Sequence, residues 1–201
     1  MTKSIPFSLI LVFISLIPVF GSPTECTILN FLVYKGADPV GTLRVSQLIE
    51  SERITFILVS DVSIDLIVEF NIEETIKDVF EKGCLQSSNH TRYVNKTLRA
   101  NNTLVRSERG YKITDSDAVV KHVNEDIRVT VLSLYFDEPV SGQLAYSENF
   151  RELVTLQKVA EHTYTVELPN GNTTTYYYKD DKMQSVVSQT RFGIIKFVCQ
   201  N

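Results

Sequence analysis

The sequence predicts an all-β protein: about ten strands in an antiparallel meander that forms a closed barrel or a strongly curved sheet, with one short helix near residues 127–135. After an apolar opening that ends near Phe20, short runs alternate between apolar and polar residues, which is the period of β-strands. Turn signals separate most of these runs, as in hairpins. So many strands in hairpin succession must bury one face and protect their edges, and the sheet therefore has to curl.

The first part of the chain fits strands joined by hairpin turns. A turn signal at 36–39 joins the first two runs, and from Ile64 apolar and polar residues alternate strictly. The stretch 72–80 also has apolar residues at helical spacing, but the turn at 81–83 favours a strand. The predicted strands are 27–35, 40–50, 54–62 and a run that begins at 64.

Two runs in the middle of the chain are more polar. Residues 84–98 and 103–113 are rich in Ser, Thr and Asn, and turn signals stand at 100–102 and 109–110. This composition predicts strands, or an exposed hairpin, that face solvent on one side.

One segment breaks the β pattern. Its apolar residues recur at i, i+4, i+7 and i+8, at Ile127, Val131, Leu134 and Tyr135. Asn124 or Asp126 can cap the start, and Pro139 prevents continuation. The spacing predicts a short helix that could plug one mouth of the barrel.

After Gly142 the strand pattern returns. Asn170-Gly171 between two alternating runs is the strongest hairpin signal in the chain. The predicted strands are 152–159, 164–168, 173–179, 183–190 and 193–199.

The opening has the parts of a secretory signal: Lys3 as the positive end, an apolar run over 5–20, and small residues at 21–22. An uncleaved membrane anchor is the alternative, but Pro and Ser interrupt the run, which falls short of the about 20 apolar residues that span a bilayer. We therefore expect a signal peptide at 1–22, a single barrel-like domain at 23–201, no integral membrane segment after cleavage, and a secreted or periplasmic location.

Charge and cysteine content exclude some classes of function. Removal of the signal takes away only Lys3 among the charged residues, so the formal charge changes from −4 to −5, which argues against nucleic acid as a partner. Cys26, Cys84 and Cys199 lack the close-pair spacing of a metal or redox motif. In a closed barrel with an even number of strands, Cys26 would approach Cys199, and a disulfide could join them.

The densest group of polar and aromatic residues lies between 134 and 150. A pocket with acid groups and phenols could form there if the loop folds over the barrel mouth. The alternative is that the same residues cap and fill the core. The candidate binding residues are Tyr135, Asp137, Glu138, Tyr146 and Glu148.

Motifs for catalysis, metals or cofactors are absent from the sequence. We therefore assign no catalytic residue, metal ligand or cofactor. The three histidines, His90, His122 and His162, have no partners at ligand spacing and are predicted to be isolated and exposed.

The chain resembles a family of exported bacterial β-rich proteins of unknown function. Five short motifs over nearly the whole mature chain carry the resemblance: Phe31-x-Val33 with Val40-Gly41, the run 79–83, the run 134–139, Tyr146-Ser147-Glu148, and the run 164–171 before Tyr176-x-Tyr178. The resemblance implies export and a single curved antiparallel sheet, and no activity. The chain departs from the pattern at Arg151, where a glycine is expected.

Two classes of function fit these observations. The first is a non-enzymatic binding or carrier module that holds an apolar or amphipathic small ligand, or a lipid, inside the sheet; if the interior is filled, the role is instead structural or in protein interaction. The second is a hydrolase or lyase that uses the carboxylates near 135–148, although no nucleophile or base can be identified, so the enzyme reading is the weaker one. The oligomeric state stays open. The apolar residues predicted to face the interior are Phe31, Val33, Leu43, Val45, Phe56, Leu58, Val68 and Phe70.

Overall fold

A computed structural model describes residues 24–65, 69–115, 118, 120–190 and 193–200 of the chain. In these residues the chain forms fourteen strands and a single turn of 3₁₀ helix at Ser133–Tyr135. The strands are β1 Glu25–Lys35, β2 Asp38–Glu50, β3 Arg53–Asp65, β4 Glu69–Glu81, β5 Cys84–Val94, β6 Thr97–Ser107, β7 Gly110–Thr114, β8 Val120–Val123, β9 Leu144–Ser147, β10 Glu152–Ala160, β11 Thr163–Glu167, β12 Thr173–Lys179, β13 Lys182–Thr190 and β14 Gly193–Cys199.

All fourteen strands belong to one antiparallel sheet, in the order β8-β7-β6-β5-β4-β3-β2-β1-β14-β13-β12-β11-β10-β9. The chain therefore makes two meanders, β1 to β8 and β9 to β14, and pairing of β1 with β14 joins them in the middle of the sheet. The all-β, antiparallel prediction is confirmed, with fourteen strands in place of about ten. Two of the additional strands, β8 and β9, are only four residues long.

The sheet is curled but not closed, because β8 and β9 are its two edges and do not pair with each other. Ion pairs nevertheless join the two ends of the sheet. Lys121 Nζ on β8 lies 3.7 Å from Glu152 Oε1 on β10. Arg151 pairs with Asp115, just after β7. Of the two predicted forms, the strongly curved sheet is therefore the observed one.

Arg151 stands at the position where the resemblance led us to expect glycine. Its φ of 59° is in the left-handed region, which glycine adopts at little cost and other residues at roughly 1–2 kcal/mol. The ion pair with Asp115 offsets part of this cost. The sharp turn that a glycine would form is thus present, with an arginine in it.

Residues 124–143, here called the plug segment, connect β8 to β9 and fill one end of the curled sheet. Val131 N donates to Tyr146 O, and Tyr146 N donates to Val129 O, both at 2.9 Å. On the other side, Leu85 N at the start of β5 donates to Ile127 O at 2.9 Å. The segment therefore lies in the gap between the two halves and is bonded to both.

The predicted helix near residues 127–135 is correct only as the 3₁₀ turn Ser133–Tyr135. Val129 O and Val131 N bond to Tyr146 of β9, and Thr130 N donates to the Ser133 hydroxyl, so these residues cannot form a helix. Leu132 is buried as fully as Leu134, although helical spacing would not place both on one stripe. The apolar spacing reflects burial of this segment from several sides inside the curled sheet.

Aromatic contacts hold the plug segment against the sheet. The Tyr135 ring meets the Phe31 ring edge to face, with centroids 5.3 Å apart, and the Phe136 ring lies 5.5 Å from that of Phe56. The Tyr178 hydroxyl donates to Leu134 O at 2.7 Å. The prediction that this segment plugs one mouth agrees with these contacts.

The predicted turn at 100–102 is wrong, because these residues lie inside β6. The hairpin between β5 and β6 turns instead at Asn95 and Lys96, both with positive φ. Asn102 is buried, and its side-chain amide contacts His90 on β5. The polar composition of this run did not indicate that it contains a buried residue. The predicted division of residues 84–113 is therefore corrected.

The predicted Cys26–Cys199 disulfide is not formed, and all three cysteines are free. The strands that carry them do pair antiparallel, but Cys199 stands opposite Phe31. Cys26 is five positions further along β1, or about 17 Å at the usual rise per residue. This separation exceeds the Cα distance that a disulfide tolerates.

The inner face of the sheet contains most of the apolar residues predicted for it. Gly41 lies on this face where β2 and β3 run very close, since a Cβ there would stand 2.2 Å from Asp61 O. Phe70 is half-buried, and Val68 lies outside the described residues. The confirmed core residues are Phe31, Val33, Leu43, Val45, Phe56 and Leu58.

The predicted signal peptide at 1–22 also lies outside the described residues. Within the described part of the chain, no helix has the length and apolar character needed to cross a bilayer.

Candidate functional site

The end of the curled sheet opposite the plug segment contains a cavity of about 870 Å³. Its walls come from the last residues of β3, β5 and β13 and the first residues of β4, β12 and β14, which meet at the same edge because neighbouring strands are antiparallel. The plug segment supplies the inner end through Val131, Leu132 and Tyr135. The interior is therefore packed at one end and hollow at the other.

An apolar belt surrounds the cavity, and polar groups lie at its rim. The exposed guanidinium of Arg99 stands on the rim with Asn170 and Asn172 of the β11–β12 turn. The belt consists of Leu43, Leu58, Val62, Ile64, Phe70, Ile72, Ile76, Val94, Leu168, Val186, Ile195 and Phe197.

Charged side chains form a polar floor deeper in the cavity. The register pairs Glu74 on β4 with Arg92 on β5, and His90 on β5 with Asn102 on β6. Arg92 Nε donates to Glu74 Oε1 at 3.1 Å, Arg92 Nη2 donates to the same oxygen, and His90 Nε2 lies 2.7 Å from it. The amide nitrogen of Asn102 lies 3.3 Å from His90 Nδ1, which makes Nδ1 the acceptor and Nε2 the donor to Glu74.

These contacts fix the charge of Glu74. Burial alone would raise the pKa of this carboxyl, but the charge of Arg92 and the hydrogen bonds from His90 and Arg92 outweigh burial and lower the pKa to about 2. Glu74 is therefore ionised at neutral pH, and Arg92 balances its charge.

A second pair of acid groups is buried near the floor, and one of them, Glu148, also lines the cavity. Asp78 is 0% exposed and Glu148 is 3% exposed. Leu132 N of the plug segment donates to Glu148 Oε1 at 3.0 Å. Within the described residues, neither oxygen of Asp78 receives a hydrogen bond from a donor of good geometry, although Ser88 and Thr130 are beside it.

Burial, followed by the charge of Asp78, raises the pKa of Glu148 well above its usual value, and burial also raises the pKa of Asp78. A proton kept by Glu148 can be donated to Asp78, which supplies the hydrogen bond that Asp78 otherwise lacks. Burial therefore favours a proton shared between the two carboxyl groups.

The five candidate residues from the sequence do not form one pocket. Tyr135 and Glu148 line the cavity, and burial raises the pKa of the Tyr135 hydroxyl, with further contributions from Glu74 and Glu148. Tyr146 is buried, and burial and the charges of Glu148 and Asp78 raise its pKa. Asp137 and Glu138 lie elsewhere, beside a pocket of about 130 Å³ at the plugged end.

Glu138 belongs to a separate cluster at the plugged end. His162 Nδ1 lies 2.8 Å from Glu138 Oε2, and the Tyr164 hydroxyl donates to Glu138 Oε1 at 2.9 Å. Asp181 lies beside them: one ligand atom from each of Glu138, His162 and Asp181 is within 4.8 Å of the other two. Burial would raise the pKa of Glu138, but the hydrogen bonds from His162 and Tyr164 outweigh burial and lower it.

Sequence reasoning missed the polar floor. The prediction that all three histidines are exposed is wrong for His90, which is buried, whereas His122 is exposed and His162 half-exposed. The usable signal was the alternation of inward and outward residues along β4. Glu74 and Asp78 occupy the same inward-facing set of positions as Ile72, where an apolar residue is expected, and both are charged.

Comparisons with known proteins concern the fold and the family. One similar solved structure is the crystal structure of a β-barrel-like protein of domain of unknown function DUF1849 from Brucella abortus, with 9% sequence identity and a TM-score of 0.48 over 89% of this chain and 96% of that chain. No curated protein matches the sequence. The sequence model of the family described as "Domain of unknown function (DUF6134)" matches residues 31–200. The chain therefore belongs to the DUF6134 family, a family of unknown function.

Proposed function

We propose that the protein is a binding or carrier module that holds a small amphipathic molecule or lipid in the cavity of its curled sheet. The observation that supports this is the cavity itself, about 870 Å³ of space in a sheet whose other end is packed. Ligand pockets usually measure about 300–1,000 Å³ and have mainly apolar walls with a few polar groups. The apolar belt and the polar floor fit that description.

The experiment places a bulky side chain in one wall of the cavity. Val62 on β3 lines the cavity and is 8% exposed, whereas Val59 on the same strand faces outward and is 49% exposed. We expect Val62→Trp to weaken binding of the uncharged fluorophore N-phenylnaphthylamine by about tenfold or more, because the indole occupies the space that the ligand needs. Val59→Trp adds the same side chain outside and should leave the affinity unchanged.

Fluorescence titration measures the affinities, and thermal unfolding checks that both variants are folded. Absence of binding by the unmodified protein, or equal affinities in the two variants, would contradict the proposal.

We also propose that the protein is exported, as a secreted or periplasmic protein. The support is the positive, apolar and small-residue sequence of its first 22 residues. N-terminal sequencing of protein purified from its own cells should find a chain that begins at Ser22 or Pro23. A chain that begins at Met1 and sediments with membranes would exclude this proposal.

A further inference from the structure

The polar floor leaves one oxygen of a fixed carboxylate facing the cavity. The three donors to Glu74, from His90 and Arg92, all contact the same oxygen, Oε1. Within the described residues, Oε2 receives no hydrogen bond, and Glu74 is among the residues that line the cavity. Oε2 is thus an acceptor held in place and open to a ligand.

Arg92 supplies donors beside this acceptor. Its Nε and Nη2 bind Glu74, and its side chain also lines the cavity, which leaves the N–H groups of Nη1 for a ligand. His90 is fixed by Asn102 from behind and adds no free donor. A ligand that reaches the floor therefore meets one acceptor and one donor at neighbouring positions.

The charge of the floor restricts the ligand's head group. The carboxylate of Glu74 and the guanidinium of Arg92 balance each other, so the floor has no net charge to attract an ion. A carboxylate or phosphate head would face Glu74 Oε2, and an ammonium head would face Arg92. A hydroxyl has neither conflict, because it can donate to Oε2 and accept from Nη1.

We infer that the ligand is a hydroxyl-bearing amphipathic molecule, such as a long-chain alcohol, bound with its uncharged head group between Glu74 and Arg92 and its apolar part against the belt. This inference rests on the proposed function and names the class of ligand. The rest of the head group's surroundings also suits a hydroxyl, since Tyr135 and Tyr176 line the cavity near the floor.

The experiment compares a long-chain alcohol and the corresponding fatty acid, both carrying the same fluorophore, near neutral pH. We expect the unmodified protein to bind the alcohol roughly tenfold more tightly or better, because the ionised acid meets the carboxylate of Glu74. This comparison uses the full chain without substitution and does not depend on how a variant folds.

The variant Glu74→Gln then tests the residue. It should weaken binding of the alcohol by about tenfold and reduce or reverse the preference over the acid, because the amide neither repels the acid nor binds the hydroxyl with a full charge. The matched control is Glu73→Gln, on the same strand but exposed on the outer face, which should change neither affinity.

The outcomes separate the inference from the proposed function. Binding of neither probe by a protein that still binds N-phenylnaphthylamine overturns the inference alone, and binding of none of the three molecules overturns both. If the acid binds as tightly as the alcohol, the inference that the head group is uncharged is wrong, but the proposed binding function stands. If Glu74→Gln and Glu73→Gln show the same preference for the alcohol, Glu74 does not bind the head group. That result overturns the assignment of Glu74 as a ligand-binding residue.

Discussion

Replacement of Tyr135 by alanine is expected to lower the free energy of unfolding by about 3–5 kcal/mol, the usual cost of truncating a buried aromatic residue. Tyr135 is the residue of the plug segment that packs edge to face on Phe31 of the central strand β1. The neighbouring side chains belong to a continuous sheet and can collapse only partly into the space that the ring leaves. Urea unfolding followed by circular dichroism measures the change.

The control is Tyr177→Ala. Tyr177 is 39% exposed on β12, so the same truncation there should cost about 1 kcal/mol or less. Equal losses in the two variants would show that packing of Tyr135 does not stabilise the curled sheet. Tyr135→Phe keeps the ring contact with Phe31 and should therefore retain most of the stability.

Replacement of Glu148 by glutamine is expected to stabilise the protein near neutral pH, because each unit by which folding raises a carboxyl pKa costs about 1.4 kcal/mol above that carboxyl's unfolded pKa. Glu148 is buried against Asp78, and burial followed by the charge of Asp78 raises its pKa well above the value of about 4.5 in the unfolded chain, so the folded protein holds this proton to a higher pH. The glutamine amide resembles the protonated acid: it can donate to Asp78 and accept from Leu132 N, and it needs no proton.

The sign of the pH dependence follows from the raised pKa. The contribution of Glu148 to stability is fully present below pH 4.5 and is lost as pH rises towards its folded pKa, by about 1.4 kcal/mol per pH unit. Glu74 acts in the opposite direction: its pKa of about 2 gives stability above pH 4.5 that is lost as pH falls towards 2. The unmodified protein should therefore be most stable near pH 5.

Urea unfolding between about pH 5 and pH 8 tests this prediction. In Glu148→Gln the decline above pH 5 should become much shallower. Glu73→Gln, at an exposed position on the outer face of β4, is the control and should follow the unmodified protein. A variant at Glu148 with the unchanged decline would show that this carboxyl is ionised in the folded protein.

The sequence predicts the second meander better than the first. The bounds of β12 and β14 agree with their predicted ranges, because Asn170-Gly171 and Gly193 allow few other turns. The polar turn signals at 100–102 were misleading, since Asn102 is a buried hydrogen-bonding residue. Composition alone does not distinguish a polar residue in a turn from one that binds a partner in the core.

The candidate site was harder to predict for a related reason. The sequence placed it where acids and tyrosines are neighbours along the chain, as at Asp137 and Glu138. Neighbours in a strand face opposite sides, so a site inside a sheet is assembled across strands. The contact of Glu74 with His90 and Arg92 depends on the register of β4 and β5, which includes a bulge after Val79 and has no readable signature in the sequence.

The pairing of β1 with β14 also governs the order in which the protein can be built. Phe31 meets Cys199, a residue 168 positions later. During synthesis the β1–β8 meander can form early, but β1 has an open edge until residues 193–199 have left the ribosome. Contacts at such long range close slowly, since a large loop must be ordered first. A chaperone that covers β1 during this interval would protect the nascent chain from edge-to-edge aggregation, and the need for it ends when the last strand arrives.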